Sequence, residues 1–124
     1  MSKRTVGYVN KTVIELLNLS TTINSSIYIG DTNIDHMKSK HPKDYEKYGK
    51  YIQYILACPD YVGQNPTDGS IEYVKQFVID NKYVKVAVRV TTNGTYYARS
   101  LYVLNSNRVN NFIKKGSLHK IWHL

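Results

Sequence analysis

The sequence has few of the features on which small secreted proteins and membrane proteins depend. Its single cysteine, Cys58, cannot form a disulfide within the chain, so a hydrophobic core has to hold the fold together. No apolar run approaches the roughly 20 residues of a membrane-spanning helix. Because no apolar block of a secretory signal follows the basic N-terminal residues, we expect a cytoplasmic protein. Delivery as part of a larger secreted or injected protein would leave no such mark.

Acidic residues are scarce as well. Asp and Glu number 9 against 17 Lys and Arg, which leaves a net charge of +8. This balance favours a polyanionic partner, and nucleic acid is the first candidate. A basic surface that only keeps the protein soluble is the alternative, because net charge by itself decides neither the partner nor the fold.

The common motifs of nucleotide-binding proteins and hydrolases are missing. There is no GxSxG elbow, Walker loop or dinucleotide-binding fingerprint. His36 and His41 are five residues apart, which is off the four-residue spacing that points two imidazoles of a helix at one metal. His119 and His123 have that spacing, but no Cys, Asp or Glu nearby would supply a third ligand. We therefore expect neither a metal site nor a cofactor.

Apolar residues at helical spacing predict three helices. Asn10 caps a first short helix, and Pro42 opens a second one. The second helix should end near Ala57, because Pro59 restricts the residue before it. Core packing explains the tyrosines of the second helix better than base stacking does. Ser106 caps the last helix.

After the second helix the apolar period changes from 3.6 to 2, which predicts an antiparallel sheet. Strands are expected at residues 72–79, 83–92 and 95–105, and a turn-rich connector at residues 59–69. A brief strand is expected at Ile27–Ile29. The predicted fold class is α+β, with N-terminal helices packed on a small twisted antiparallel sheet of about three to four strands, followed by a C-terminal helix.

The whole chain, residues 1–124, is predicted to be a single domain, because its length suits one core and is too short for two ordinary ones. Residues 1–9 carry no clear period and are expected to be a flexible arm. Residues 10–118 would form the core, and residues 119–124 a basic and aromatic tail.

Asn93-Gly94 predicts a two-residue hairpin turn, which fixes the faces of the two long strands. Arg89 would then lie opposite Ala98, and Ala87 opposite Ser100. One face is rich in valine and suits the helices, and the other is too polar for a core. The polar face carries Lys85, Arg89, Thr91, Tyr96, Ser100 and Tyr102, whereas Tyr97 and Arg99 fall toward the edge of the helix side. A bulge or a three-residue turn would exchange the two sets.

The segment from Asp35 to Pro42 concentrates groups that transfer protons and bind anions. Two histidines can act as general base and general acid near neutral pH. Lysine or arginine on the polar face would stabilise charge that develops on a phosphate. This set suits cleavage of RNA by attack of the ribose 2′-hydroxyl on the adjacent phosphate. As alternatives, His36 could cap a turn, and His41 could be the N-cap of the helix that Pro42 opens.

These residues resemble the phage-borne branch of the barnase, EndoU, colicin-type and RelE-like (BECR-fold) nuclease superfamily. The likeness spans about residues 28–118, and the motifs that carry it are Asp35-His36, Lys40-His41-Pro42, Tyr45, Pro59-Asp60-Tyr61-Val62-Gly63, Lys75, Ser100-Leu101-Tyr102 and Lys114-Lys115-Gly116. It implies a helix-plus-antiparallel-sheet fold and metal-independent endoribonuclease activity in a bacterial cytoplasm. It also implies a toxin-like role, often against tRNA or other cellular RNA, and a small acidic partner of the immunity or antitoxin type.

The resemblance also implies roles for individual residues. His36 and His41 would be the acid–base pair, in an order that local pKa shifts would decide. Lys75 and Arg89 would bind phosphate, and Ser100 would contact the scissile group. The residues expected to bind substrate are Lys40, Lys85, Tyr96, Arg99 and Tyr102. Lys75 could instead be an ordinary exposed strand residue.

Two other functions compete with RNA cleavage. A non-catalytic nucleic-acid-binding module would use the same basic face, with tyrosines stacking on bases, and would leave RNA intact. An inhibitor encoded by a mobile element would bind another protein and neither cut nor bind RNA.

Overall fold

In the computed structural model, which describes residues 2–122, helices and strands alternate along the chain. The strands are β1 (Lys3–Val9), β2 (Ser25–Gly30), β3 (Tyr61–Gln64), β4 (Ile71–Phe77), β5 (Lys82–Val90), β6 (Tyr96–Leu104) and β7 (Leu118–Lys120). The helices are α1 (Lys11–Leu17), α2 (Asp31–Lys40), α3 (Pro42–Tyr48), α4 (Ile52–Ala57) and α5 (Ser106–Lys114), and a 3-10 turn at Gly49–Tyr51 joins α3 to α4. The fold is therefore α+β, as predicted.

The sheet is larger than the three to four strands that the sequence predicted. Seven strands lie in the order β1-β2-β6-β5-β4-β3-β7. The pairing of β2 with β6 is parallel and the other pairings are antiparallel, so the sheet is mixed. The three strands that the sequence did not predict are short or irregular, and they extend the sheet at both edges.

The expected flexible arm is wrong for residues 3–9, which form β1 and pair with β2. Val6 and Val9 are both buried, although they are three residues apart. A register shift between Thr5 and Gly7 explains this spacing, because a bulge breaks the alternation of side chains along a strand. The period-2 signal is lost for the same reason.

Two further strands occupy segments that were predicted to be connector and tail. β3 lies within the predicted connector at residues 59–69, and β7 includes His119 from the predicted tail. Strands of three or four residues are too short to show a period. His123 lies outside the described residues.

The hairpin of β5 and β6 departs from the predicted register in its upper half. Thr91 N donates to Thr95 O at 2.8 Å, and Gly94 has φ +86°, so the turn has three residues rather than two. Arg89 therefore lies opposite Tyr97 and not Ala98. A bulge then restores the predicted pairing of Ala87 with Ser100.

The main core lies between the valine-rich face of the sheet and the helices. Val84, Val86 and Val88 are fully buried there. Tyr48 and the apolar side of α4 belong to the same cluster, so the packing interpretation of the tyrosine helix holds for Tyr48. A smaller cluster, which includes Val109 of α5 and Leu118 of β7, covers one end of the opposite face. The rest of that opposite face carries the polar residues of β5 and β6.

Helices α2 and α3 close the edge of β6. β2 pairs with β6 only at Tyr96 and Tyr97, which leaves the later part of that edge without a strand neighbour. Asp44 of α3 instead accepts a hydrogen bond from Val103 N at 3.0 Å. No helix within residues 2–122 is long and apolar enough to cross a membrane.

Candidate active site

Helix α2 places His36 beside the polar face of β6. Gly30 at the end of β2 is the N-cap of the helix, and Asn33 Oδ1 accepts from Gly30 N at 2.8 Å. The next residue after His36, Met37, is fully buried in the main core, which fixes the rotation of the helix about its axis. His36 is thus in the body of a helix and does not cap a turn.

A pocket of about 180 Å³ lies between α2 and the polar face of the sheet. Four of the predicted site residues line it, namely His36, Arg89, Arg99 and Ser100. The sequence placed His36 ahead of the second helix, Arg89 and Ser100 on the polar face of the hairpin, and Arg99 toward its helix side. The fold brings all four side chains to one pocket. The pocket is small and polar and it contains two guanidinium groups, which suits a phosphate.

The β-bulge in the hairpin explains how Arg99 reaches this pocket. Ala87 pairs with Ser100 and the next residue, Val88, pairs with Ala98, so Arg99 is the extra residue of β6. A bulge redirects the side chain that it inserts. The prediction that Arg99 falls on the helix side of the hairpin is therefore wrong, because Arg99 lines the pocket beside the polar face.

Arg89 is held by Asp68, which lies in the loop that precedes β4. Its guanidinium lies 3.3 Å from Asp68 Oδ2. Ser70 N donates to Asp68 Oδ1 at 2.9 Å. The hydrogen bonds from Ser70, with help from Arg89, hold the pKa of the Asp68 carboxyl below its ordinary value. Asp68 thus stays ionised and orients Arg89 in the wall of the pocket.

His41 lies next to this pocket, stacked on Tyr102. The two ring centroids are 4.8 Å apart and the rings are inclined by 26°. Tyr102 follows Ser100 on the same face of β6, at a step of about 6.8 Å along the strand. The hydrogen bond between Asp44 and Val103 fixes α3 against β6 at this point. The imidazole of His41 is therefore held against Tyr102, which is two residues along β6 from Ser100 of the pocket.

His41 also joins two helices, as the last cap of α2 and the first cap of α3. Within the described chain its side chain makes no capping hydrogen bond. His41 is therefore the N-cap residue of α3, as the alternative had it, but its side chain does no capping. Pro42 opens α3 as predicted, and the His41 imidazole is exposed.

Tyr102 rests on a buried ion pair. Lys85 Nζ is 4.7 Å from the centre of the Tyr102 ring and 2.8 Å from Glu72 Oε2. The side chains of Lys85 and Glu72 are only 11% and 17% exposed. Burial acts to lower the pKa of Lys85, but the interactions with Glu72 and Tyr102 outweigh it, so the pKa is raised. Lys85 remains charged beneath the aromatic ring.

Three predicted site residues lie elsewhere. Lys75 pairs in register with Val84, on the valine-rich side of the sheet, and forms an ion pair with Asp60 at 3.3 Å. Tyr96 is only 9% exposed and belongs to the main core, because the three-residue turn reverses its face. Lys40 is exposed in the last turn of α2 and does not line the pocket of His36. Lys75 and Tyr96 therefore cannot act at the same site as His36.

Several residues in and around this site were not predicted from the sequence. Asp68 lies in a loop that had no functional signal, and Tyr97 was assigned to the wrong face. Glu72 could have been found, because the alternation in β4 puts it on the same face as Val74, opposite the polar side chains of β5.

The arrangement places one imidazole and two guanidinium groups around a space that fits a phosphate, and the second imidazole, that of His41, lies on the neighbouring Tyr102. Neutral and protonated imidazole can accept and donate protons near neutral pH. The guanidinium groups of Arg89 and Arg99 can stabilise negative charge on a phosphorane. Among residues 2–122, no group of three or more His, Cys, Asp or Glu is placed to hold a metal ion.

Comparison with known proteins identifies a family model that matches most of the chain. The family model described as "phage-Barnase-EndoU-ColicinE5/D-RelE like nuclease3" matches residues 3–111, which is most of the chain. The match begins with β1 and ends within α5, so it includes every residue of the pocket described above. No curated protein and no solved structure matches the chain.

Proposed function

Because this chain belongs to the phage-borne family of barnase-, EndoU-, colicin- and RelE-like nucleases, we propose that it is an endoribonuclease that works without a metal ion. The 2′-hydroxyl of a ribose attacks the adjacent phosphate, and the products are a 2′,3′-cyclic phosphate and a 5′-hydroxyl. The reaction needs a base, an acid and cations around the phosphate. The pocket supplies one imidazole, that of His36, and the cations, and His41 on the neighbouring Tyr102 supplies the second imidazole.

The two histidines are the proposed acid–base pair. One imidazole takes the proton of the 2′-hydroxyl, and the other gives a proton to the leaving 5′-oxygen. Two groups on either side of the phosphate are required because the attacking and leaving oxygens lie roughly in line. His36 in the pocket wall and His41 on Tyr102 occupy different elements, which suits this division of labour.

Arg89 and Arg99 are the proposed phosphate-binding residues, with Ser100 as a hydrogen-bonding partner of the scissile group. Arginine binds phosphate through two parallel hydrogen bonds. Asp68 neutralises part of the charge of Arg89, whereas Arg99 forms no ion pair among residues 2–122. Lys85, paired with Glu72, supports Tyr102 from below.

One observation carries this proposal: His36, Arg89, Arg99 and Ser100 line the same 180 Å³ pocket. These side chains come from α2, β5 and β6, and no packing requirement of the core explains their convergence. A purely nucleic-acid-binding surface would need the cations but not the histidines.

Cleavage of a labelled RNA in EDTA tests the proposal. His36→Ala and His41→Ala should each reduce the rate by about 10²- to 10⁴-fold, the range for a general acid or base, while RNA binding is retained. His119→Ala is a matched control, because β7 lies four strands from β6, about 19 Å away. If the unmodified protein binds RNA with a steep salt dependence but leaves it intact, the non-catalytic module is correct.

A toxin-like role follows from this activity, with tRNA or another cellular RNA as substrate. Uncontrolled RNA cleavage harms the cell that contains the enzyme, so we also propose an acidic immunity- or antitoxin-type partner. The net charge of +8 would favour such a partner through electrostatic complementarity. Expression in a bacterium should stop growth, and the His36→Ala variant should not. Normal growth with the unmodified protein would contradict the toxin role.

A further inference from the structure

A second and larger cavity adjoins the pocket of His36. It has a volume of about 550 Å³, and Arg89 and Arg99 line both spaces. Because the two spaces share these side chains, a ligand with a phosphate in the smaller one can extend directly into the larger one. Its volume lies in the range of sites that bind small organic molecules.

An aromatic ring lines this second cavity. Tyr97 lies opposite Arg89 in the sheet, and its ring centroid is 6.1 Å from that of Tyr28 on the neighbouring strand. Lys3 Nζ is 4.3 Å from the centre of the Tyr28 ring and 5.9 Å from that of Tyr97. These contacts hold the Tyr97 ring in place, so it offers a preorganised surface for stacking.

The cavity is also positively charged. Lys3, Arg89 and Arg99 line it, and no acidic residue does so. Neither Lys3 nor Arg99 takes part in an ion pair within the described part of the chain. An anionic ligand would therefore find cations that are not already neutralised.

Asn33 adds a polar group of defined orientation. Its Oδ1 accepts from Gly30 N, so the amide nitrogen is the end of the side chain that remains to donate. Nucleobases present carbonyl oxygens at their edges, which accept such hydrogen bonds.

We propose that this cavity is a nucleobase subsite for single-stranded RNA, which holds the base next to the scissile phosphate with Tyr97 as its stacking surface. The inference rests on the proposed function, because it takes the phosphate to lie between Arg89 and Arg99. A base can enter such a cavity only when it is unstacked from its neighbours, which is why a single strand is the expected substrate.

Binding of uncleavable RNA tests the subsite apart from catalysis. The probes are a fluorescent hexanucleotide with 2′-O-methyl groups throughout and a series in which one position at a time lacks its base. For the intact probe, Tyr97→Ala should weaken binding by about 5- to 150-fold. One of the abasic probes should bind the unmodified protein more weakly than the intact probe does, by the same factor. Tyr97→Ala should not weaken the binding of that probe any further.

Two variants control this experiment. Tyr97→Phe keeps the ring and should bind within about twofold of the unmodified protein. Tyr54→Ala removes a half-exposed tyrosine that lies with Lys75 on the valine-rich side of the sheet, and it should also bind normally. Thermal unfolding of each variant shows whether the fold is retained.

The results distinguish a failure of the subsite from a failure of the proposed function. Equal binding of the intact probe by Tyr97→Ala and Tyr54→Ala would overturn the subsite. Losses from Tyr97→Ala that are the same for every abasic probe would also overturn it, because the ring would then act on no particular base. If the unmodified protein fails to cut ordinary RNA, the proposed function is overturned. If it cuts RNA but no abasic probe loses the same binding factor as Tyr97→Ala, only the subsite is overturned.

Discussion

Replacing Glu72 by Gln should destabilise the protein, because it leaves the charge of Lys85 buried without its partner. The carboxylate of Glu72 lies 2.8 Å from Lys85 Nζ, and both side chains are largely buried. Removing one member of a buried pair costs roughly 3–5 kcal/mol. The side chains of Lys85 and Glu72 are 11% and 17% exposed, so water screens the charge in part. We therefore expect a loss of unfolding free energy of about 2–3 kcal/mol.

The loss should depend on pH in a defined direction. In the unmodified protein the pKa of Lys85 is raised above the ordinary 10.5, so its contribution to stability is complete below that pH and is lost as the pH rises through the folded-state pKa. In Glu72→Gln the raising effect of Glu72 is absent, so burial, the largest effect and then opposed by Tyr102 alone, lowers the pKa of Lys85. The variant should therefore regain relative stability as Lys85 loses its proton, and the gap between the two proteins should narrow as the pH approaches 10.5.

Urea unfolding followed by circular dichroism at pH 7 and pH 9.5 measures this gap. The difference between the two proteins matters, because the 12 tyrosines affect both alike at high pH. Glu46→Gln, at an exposed position of α3, is the control and should change the unfolding free energy by less than about 0.5 kcal/mol. A loss below about 0.5 kcal/mol for Glu72→Gln, or a gap that widens with pH, would refute the reasoning.

Three further predictions concern other parts of the fold. Lys75→Ala should leave RNA cleavage unchanged within about twofold, because Lys75 lies across the sheet from His36, and it should cost about 1 kcal/mol of stability through loss of the ion pair with Asp60; a large loss of activity would contradict its placement. Gly63→Ala should cost at least about 2 kcal/mol in urea unfolding, because the new Cβ would meet the backbone oxygen of Ser117; unchanged stability would contradict this contact. Tyr48→Phe removes a hydrogen bond of 2.9 Å to Asp80 and should cost about 1 kcal/mol. Burial and Asp80 raise the pKa of Tyr48 to about 12, so this cost should hold up to pH 10 and then grow smaller as the pH rises toward 12, whereas a cost that increases there would contradict the assignment.

The sequence predicted several regular elements of this fold, but it predicted neither helix α2 nor the irregular parts. The Asn10 cap, the Pro42 helix start and the lower half of the hairpin follow local rules of capping and alternation. β1 was not predicted because its bulge breaks the alternation of side chains. The buried residues Val6 and Val9 are therefore three residues apart, which does not fit a strand pattern. Bulges carry no reliable local signal, so pattern reasoning cannot find them.

The same limitation affected the site. The histidine segment stood out because its residue types are unusual in a core, and both His36 and His41 do lie at the polar face of β6. The bulge at Arg99 and the three-residue turn at Gly94 decide which tyrosine faces the pocket. A change of one residue in register exchanges Tyr96 and Tyr97, and that choice depends on backbone geometry that the sequence does not display.

Lys75 shows a different kind of error. The role of Lys75 was inferred only from the resemblance to the superfamily. In β4 the alternation of side chains puts Lys75 on the opposite side of the sheet from Glu72. Glu72 contacts Lys85 on the polar face, and side chains alternate along β4. Lys75 therefore lies on the opposite face of the sheet.

Analysis of the RNA ends tests the central claim most directly. An RNA that the unmodified protein cuts at one bond is compared with the same RNA carrying a single 2′-deoxy nucleotide on the 5′ side of that bond, in EDTA. We predict a 2′,3′-cyclic phosphate and a 5′-hydroxyl from the first RNA and no cleavage at that bond in the second. Ends with a 3′-hydroxyl and a 5′-phosphate, or equal cleavage of both RNAs, would contradict 2′-hydroxyl attack at the pocket of His36.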